Sequence, residues 1–136
     1  MVKSGIFITH LNPNERFVFG SNKEGRHGAG AARTAKLQFG AKEGVGEGLT
    51  GQCYAFPTVE TLKPYVSCTI SEISRMVKNF KKTVDDNPNL IFYLTNVGCG
   101  LAGHKDEDIA PLFFDLVNIE NVYFPPQWKK WYSNVW

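Results

Sequence analysis

Apolar and polar positions alternate along this chain in two rhythms, short strand-like runs and longer helix-like ones. Ile6-Phe7-Ile8 and the run Arg16 to Phe19 predict strands, with Asn12-Pro13-Asn14 as a strong turn signal between them. Ala29 to Phe39 is made of good helix formers, and Gly40 is placed to end it. Residues 41 to 51 carry Gly44, Gly46, Gly48 and Gly51 and predict a mobile loop. Cys53-Tyr54-Ala55-Phe56 predicts a short buried strand closed by Pro57. The clearest helix follows, because Thr69-x-x-Glu72 makes a capping box and Ile70, Ile73, Met76, Val77, Phe80 and Val84 share one face. It should stop before Pro88.

Leu90 to Thr95 is the most strand-like run, apolar and bounded by Asn-rich turns. Asp106, Glu107 and Asp108 suit a helix start, with Pro111 in its first turn and Ile109, Leu112, Phe113 and Leu116 as its buried stripe. Val122-Tyr123-Phe124 predicts a last strand, ended by Pro125-Pro126. Strands alternating with helices imply an α/β fold with a largely parallel sheet covered on both faces. Ligands of such sheets bind outside the carboxyl ends of the strands.

Two segments share one build. Phe17 to Asn22 passes through Gly25-Arg26-His27-Gly28-Ala29-Gly30 into a helix, and Ile91 to Asn96 passes through Gly98-Cys99-Gly100-Leu101-Ala102-Gly103 into another. A strand that turns through glycines into a helix presents free N–H groups and the positive end of a helix dipole. Two such turns in a small domain predict a phosphate-bearing ligand gripped from both sides. Neither turn is a Walker loop or a Rossmann fingerprint, for want of a Gly-Lys-Ser/Thr and of the right glycine spacing.

Bulk properties narrow the class. The 136 residues are 43% hydrophobic and 21% charged, which fits one globular domain, 1–136, and argues against disorder. A net charge of +2, without a long basic run, argues against a nucleic-acid partner on electrostatic grounds. Cys53, Cys68 and Cys99 are widely spaced and odd in number, so no disulfide frame, metal site or cofactor is expected from them. No signal peptide and no apolar run of about 20 residues is present, which predicts a cytoplasmic protein without a membrane partner.

Several side chains carry possible chemistry. The Asn22 amide suits a sugar hydroxyl, or else caps its own loop as an Asx-turn. Arg26 suits a bidentate grip on phosphate. His27 and His104 are the candidate catalytic acid–bases, the alternative being solvated loop histidines. Cys99, between two glycines, sits where N–H groups lower a thiol pKa, although no partner base marks it as a nucleophile. The acids 106–108 read as helix-start charges, with water activation as the alternative. Trp128, Trp131, Tyr132 and Trp136 read as core packing or a subunit contact.

Together, Asn22 with His27-Gly28-Ala29-Gly30-Ala31-Ala32, and Val97-Gly98-Cys99-Gly100-Leu101-Ala102-Gly103, resemble the two ligand loops of a macrodomain, the ADP-ribose-binding fold. The similarity runs from about Phe17 to Phe124. The second loop is similar to the branch of ADP-ribose–glutamate hydrolases and ADP-ribose-1″-phosphate phosphatases, and the short length resembles phage-type macrodomain proteins. The resemblance implies a three-layer α/β/α sandwich whose Gly28, Ala29, Gly30, Ala31 and Gly98 to Gly103 hold the diphosphate and distal ribose, with Asn22 on that ribose. It implies hydrolysis at the distal ribose of ADP-ribose or an ADP-ribosylated protein, or binding without turnover. The chain departs from the glutamate hydrolases at two places. Val59-Glu60 stands where they have a lysine, and Ala102 where they have an aspartate. No counterpart of the adenine-facing aspartate of many macrodomains is evident.

Overall fold

The structure, a computed structural model, describes residues 10–132. The expected strand at Ile6-Phe7-Ile8 and the side chain of Trp136 lie outside the described residues. The Asn12-Pro13-Asn14 turn closes with a Glu15 N–H donated to the Asn12 carbonyl at 2.9 Å. It leads into β1 (Glu15–Asn22), whose alternate residues face opposite sides of the sheet. Phe17 and Phe19 join one hydrophobic cluster and Val18 the other.

Helix α1 (Gly30–Phe39) buries Ala32, Ala35 and Phe39 on the Phe17/Phe19 face. Gly40 ends it in the left-handed region at φ 77°, where a Cβ is costly. The segment expected to be a mobile glycine loop instead contains β2 (Gly48–Thr50), antiparallel to β3 (Cys53–Leu62). Gly46 and Gly51 serve close packing: a Cβ on Gly46 would lie 2.5 Å from the Asn22 carbonyl oxygen, and one on Gly51 2.3 Å from the Gly40 carbonyl oxygen.

Strand β3 also runs on through Pro57, where the sequence predicts its end. The reason is a gap in the ladder. β2 pairs with Cys53 to Ala55, and β4 (Tyr65–Ser67) pairs with Val59 to Leu62, so Pro57 has β1 on one side and neither strand on the other. A missing N–H is tolerated there. The β4 hairpin has no forerunner in the sequence reading.

Helix α2 (Ile70–Asp86) has the predicted capping box: Glu72 N–H donates to the Thr69 hydroxyl at 3.1 Å, and Thr69 N–H to the Glu72 carboxylate at 2.8 Å. Ile73, Val77, Phe80 and Val84 are buried, whereas Ile70 stays exposed at the helix start. β5 is Ile91–Leu94 and β6 is Val122–Tyr123. The helix expected from Asp106 to Leu116 is α-helical only over α3 (Asp106–Ile109), then tightens to a 3₁₀ helix over Ala110–Leu116. Pro111 is the second residue of that 3₁₀ run, in its first turn, where it removes no needed donor.

Among the described residues the strands form one six-stranded sheet, ordered β2-β3-β1-β5-β6, with β4 alongside β3. The β1/β3, β1/β5 and β5/β6 pairs are parallel, while β2 and β4 are antiparallel to β3. The fold is mixed α/β with a mostly parallel sheet and a hydrophobic cluster on each face. α1 packs with Phe17, Phe19, Ala55 and Tyr93; α2 and the 3₁₀ run pack with Val18, Phe56, Phe92 and Leu94. Trp128 and Tyr132 are buried in the second cluster, so the core reading of the carboxyl-terminal aromatics holds for them. No described helix is long and apolar enough to cross a membrane.

The chain leaves β1 toward β3 and leaves β5 toward β6, in opposite directions along the sheet. Such a switch between adjacent parallel strands opens a crevice at their carboxyl ends. Both glycine turns start there.

Candidate functional site

The first turn is fastened from inside. The Asn22 side chain donates to the Arg26 carbonyl at 2.8 Å and accepts the Arg26 N–H at 3.0 Å. Of its two sequence readings, this is the loop cap. Gly25 packs so tightly on the following segment that a Cβ would lie 2.4 Å from the Gly44 carbonyl carbon. His27 is 1% exposed and turns beneath the loop. Its Nε2 donates to the Lys42 carbonyl at 3.0 Å, its backbone N–H donates to the Glu43 carboxylate at 2.8 Å, and its ring meets Phe19 edge-on at 5.2 Å. Because a carbonyl only accepts, the imidazole proton belongs on Nε2. Nδ1 is buried without a hydrogen-bond partner.

The turn then opens into α1. Ala29 is extended, no side chain caps the helix, and a Cβ on Gly28 or Gly30 would meet nothing within 4 Å. The first N–H groups of a ten-residue helix therefore face open space, the arrangement that attracts an anion.

The second turn is fastened from outside, by β4 and the residue after it. The Tyr65 hydroxyl donates to the Leu101 carbonyl at 2.6 Å, and the Ser67 hydroxyl to the Ala102 carbonyl at 2.6 Å. His104 Nε2 lies 2.7 Å from the Cys68 carbonyl and donates to it. These bonds occupy carbonyls that would otherwise repel an anion. Cys99 contradicts the expected low thiol pKa: burial first, then the Asp106 carboxylate, pushes it up to about 12. Asp106 itself accepts the Trp128 indole N–H at 2.6 Å, which ties the short α3 to the core. With only four residues, and starting beyond His104 and Lys105, α3 does not aim a helix N-terminus at the turn as α1 does.

Between the turns lies a cleft of about 730 Å³ at the carboxyl ends of β1, β3 and β5. The second turn packs against the carboxyl-terminal half of β1, since a Cβ on Gly20 would sit 3.6 Å from the Gly98 nitrogen. Of the residues nominated from sequence, the cleft gathers Asn22, Arg26, Gly28, Ala29, Gly30, Ala31, Gly98, Gly100, Leu101 and Ala102. His27, Cys99, Gly103 and His104 are outside its lining. Thr34, Thr58, Leu62, Tyr65, Thr95 and Asn96 line it without having been nominated. Asn96 had a signal, for it stands two residues before Gly98 and two after β5, while Asn22 ends β1 before the first turn. Leu62 and Tyr65 had none, because they arrive on the unforeseen hairpin.

The charge of the lining is distinctive. Arg26 is its one charged residue, and no carboxylate, lysine or histidine is among the described lining residues. Val59 and Ala102, where the chain departs from the hydrolase pattern, both face the cleft.

Beside the site, Glu60, Cys68 and Glu72 bring ligand-type atoms within 4.8 Å of one another. The Lys23 ammonium already sits there, 2.5 Å from Glu60 and 3.7 Å from Glu72. Glu72 is held down to about 2 by its hydrogen bond with Glu60, by the Thr69 N–H and hydroxyl, and by Lys23. Comparison of the chain with protein-family models, with curated proteins and with solved structures gives no match.

Proposed function

We propose that this cleft binds ADP-ribose or a close derivative, and that the chain is a macrodomain-like three-layer α/β/α sandwich. The observation that carries the reading is the meeting of two glycine turns, from neighbouring parallel strands, on one cleft without a carboxylate. A diphosphate needs N–H donors and suffers from nearby acids. The uncapped start of α1 supplies the donors, and the tied-back carbonyls of Leu101 and Ala102 reduce the repulsion. The cleft volume falls in the range of small-molecule sites, roughly 300–1,000 Å³.

Binding without turnover is the better-supported form of this reading. Hydrolysis at the distal ribose requires a group that moves a proton near the reacting sugar. The two nominated histidines donate to protein carbonyls outside the lining, and the positions of the hydrolase lysine and aspartate hold Val59 and Ala102.

Calorimetric titration with ADP-ribose, with AMP and NAD as controls, tests the proposal. Micromolar binding selective for ADP-ribose is expected; no heat with ADP-ribose overturns it. Incubation with ADP-ribose-1″-phosphate and with ADP-ribosylated protein separates the two forms, release of phosphate or ADP-ribose marking a hydrolase.

A further inference from the structure

The neutral polar side chains of the cleft divide into two groups. Ser21 donates its hydroxyl to the Gly46 carbonyl at 2.5 Å, Thr58 to Ser21 at 3.3 Å, and Thr95 to Val18 at 2.7 Å. Tyr65 donates to Leu101, and Asn22 has both ends of its amide on Arg26. Each of these holds the walls of the cleft in place. The side chains of Thr34 and Asn96 make no hydrogen bond to the described residues. Thr34 lies a turn into α1, with a single hydroxyl to offer. Asn96 is half-buried at the head of the second turn, where its backbone carbonyl already accepts the Cys99 N–H.

An unengaged amide has a particular fit. It offers a donor and an acceptor side by side, and each hydroxyl of a vicinal diol both gives and takes a hydrogen bond. A phosphate only accepts, so it would use the amide nitrogen and be repelled by the amide oxygen. We infer that Asn96 is the specificity-determining residue of the cleft, reading a ribose diol of the ligand while the backbone of the turns holds the diphosphate. This inference rests on the nucleotide-binding reading above.

The test uses ADP-ribose, which has the diol, and inorganic pyrophosphate, which does not. Asn96→Ala is expected to weaken ADP-ribose binding about tenfold, the loss of one or two hydrogen bonds, and to leave pyrophosphate binding unchanged. Because Asn96 supports no internal bond, the melting temperature should not move. Should Asn96→Ala melt early, Asn96→Leu keeps the branched shape and carries the same expectation. Equal weakening of both ligands at unchanged melting temperature would make Asn96 an anion contact, and unchanged ADP-ribose affinity would make it no contact. Either result overturns the inference while the binding reading stands. A wild-type protein that takes up neither ligand overturns both.

Discussion

The two glycine turns share a plan in sequence and differ in how they are built. The first is braced from within, by the Asn22 amide on Arg26, by His27 beneath the loop, and by glycines 25, 44 and 46 packed backbone against backbone. It ends in a ten-residue helix whose start is open to the cleft. The second is hung from the outside by the side chains of Tyr65, Ser67 and His104, and it leads into a helix of four residues. The first thus presents the open N-terminus of a helix to the cleft, and the second a wall whose Leu101 and Ala102 carbonyls are held by side chains of the β4 strand. Similar spacing of glycines conceals this, since packing partners distant in sequence decide which atoms each turn presents.

That contrast makes opposite forecasts for glycines of the two turns. At Gly25, with φ 71° and Gly44 in the way, an alanine clashes with backbone that cannot retreat. Gly25→Ala should cost about 3 kcal/mol or more in urea unfolding. Gly100 adopts no left-handed conformation, and its Cβ would meet nothing within 4 Å. Gly100→Glu should therefore melt like the wild type yet abolish the proposed ADP-ribose binding, because it puts a carboxylate on the cleft wall proposed to face the diphosphate. A wild-type affinity in Gly100→Glu would remove the second turn from the site. A stable Gly25→Ala would remove the distinction between the turns.

The histidines sharpen the same comparison at smaller scale. His27 is buried and its loss strands the Lys42 carbonyl, so His27→Ala should destabilise by roughly 2–3 kcal/mol. His104 is half-buried and its bond to Cys68 competes with water, so His104→Ala should cost about 1 kcal/mol. Chemical denaturation of the pair gives the order. If His27→Ala were as stable as the wild type but lost turnover of ADP-ribose-1″-phosphate, the acid–base role would be restored to it.

Local signals made much of this legible. The Thr69/Glu72 capping box and the 3.6-residue stripe give α2, and Gly40 gives the end of α1, because those features act within a turn or two of helix. Strand–helix alternation puts both turns at the carboxyl edge of a parallel sheet, but their being neighbours follows from β1 pairing with β5, which alternation alone leaves open. The misses are long-range. Pro57 looks like a strand end unless one knows that β2 stops before it and β4 starts after it. Residues 41 to 51 look mobile because their partners, Asn22, Lys23 and Gly25, are some twenty positions earlier. Cys99 looks activated by its glycines, but burial and Asp106 outweigh them.

The smallest effect concerns the stem of the first turn, where Lys23 reaches Glu60 on β3 and Glu72 at the start of α2. The second turn has no counterpart to this charge cluster among the described ion pairs of its residues. Glu72 is held at about 2 in the folded chain, below the ordinary value of 4.5. A depressed folded pKa means that folding is favoured by the ionised form. The contribution is present above pH 4.5 and is lost as pH falls toward 2. The urea midpoint of the wild type should fall over that window, and Glu72→Gln, which has no proton to take up, should fall less steeply. Exposure to solvent keeps the difference small. The Lys23→Met variant separates attraction from helix capping: it removes the ammonium and leaves the Thr69 bonds, so its slope should lie between those of the wild type and Glu72→Gln. A Glu72→Gln slope equal to that of the wild type would mean that the cluster does not hold the stem, and that the first turn owes its rigidity to backbone packing alone.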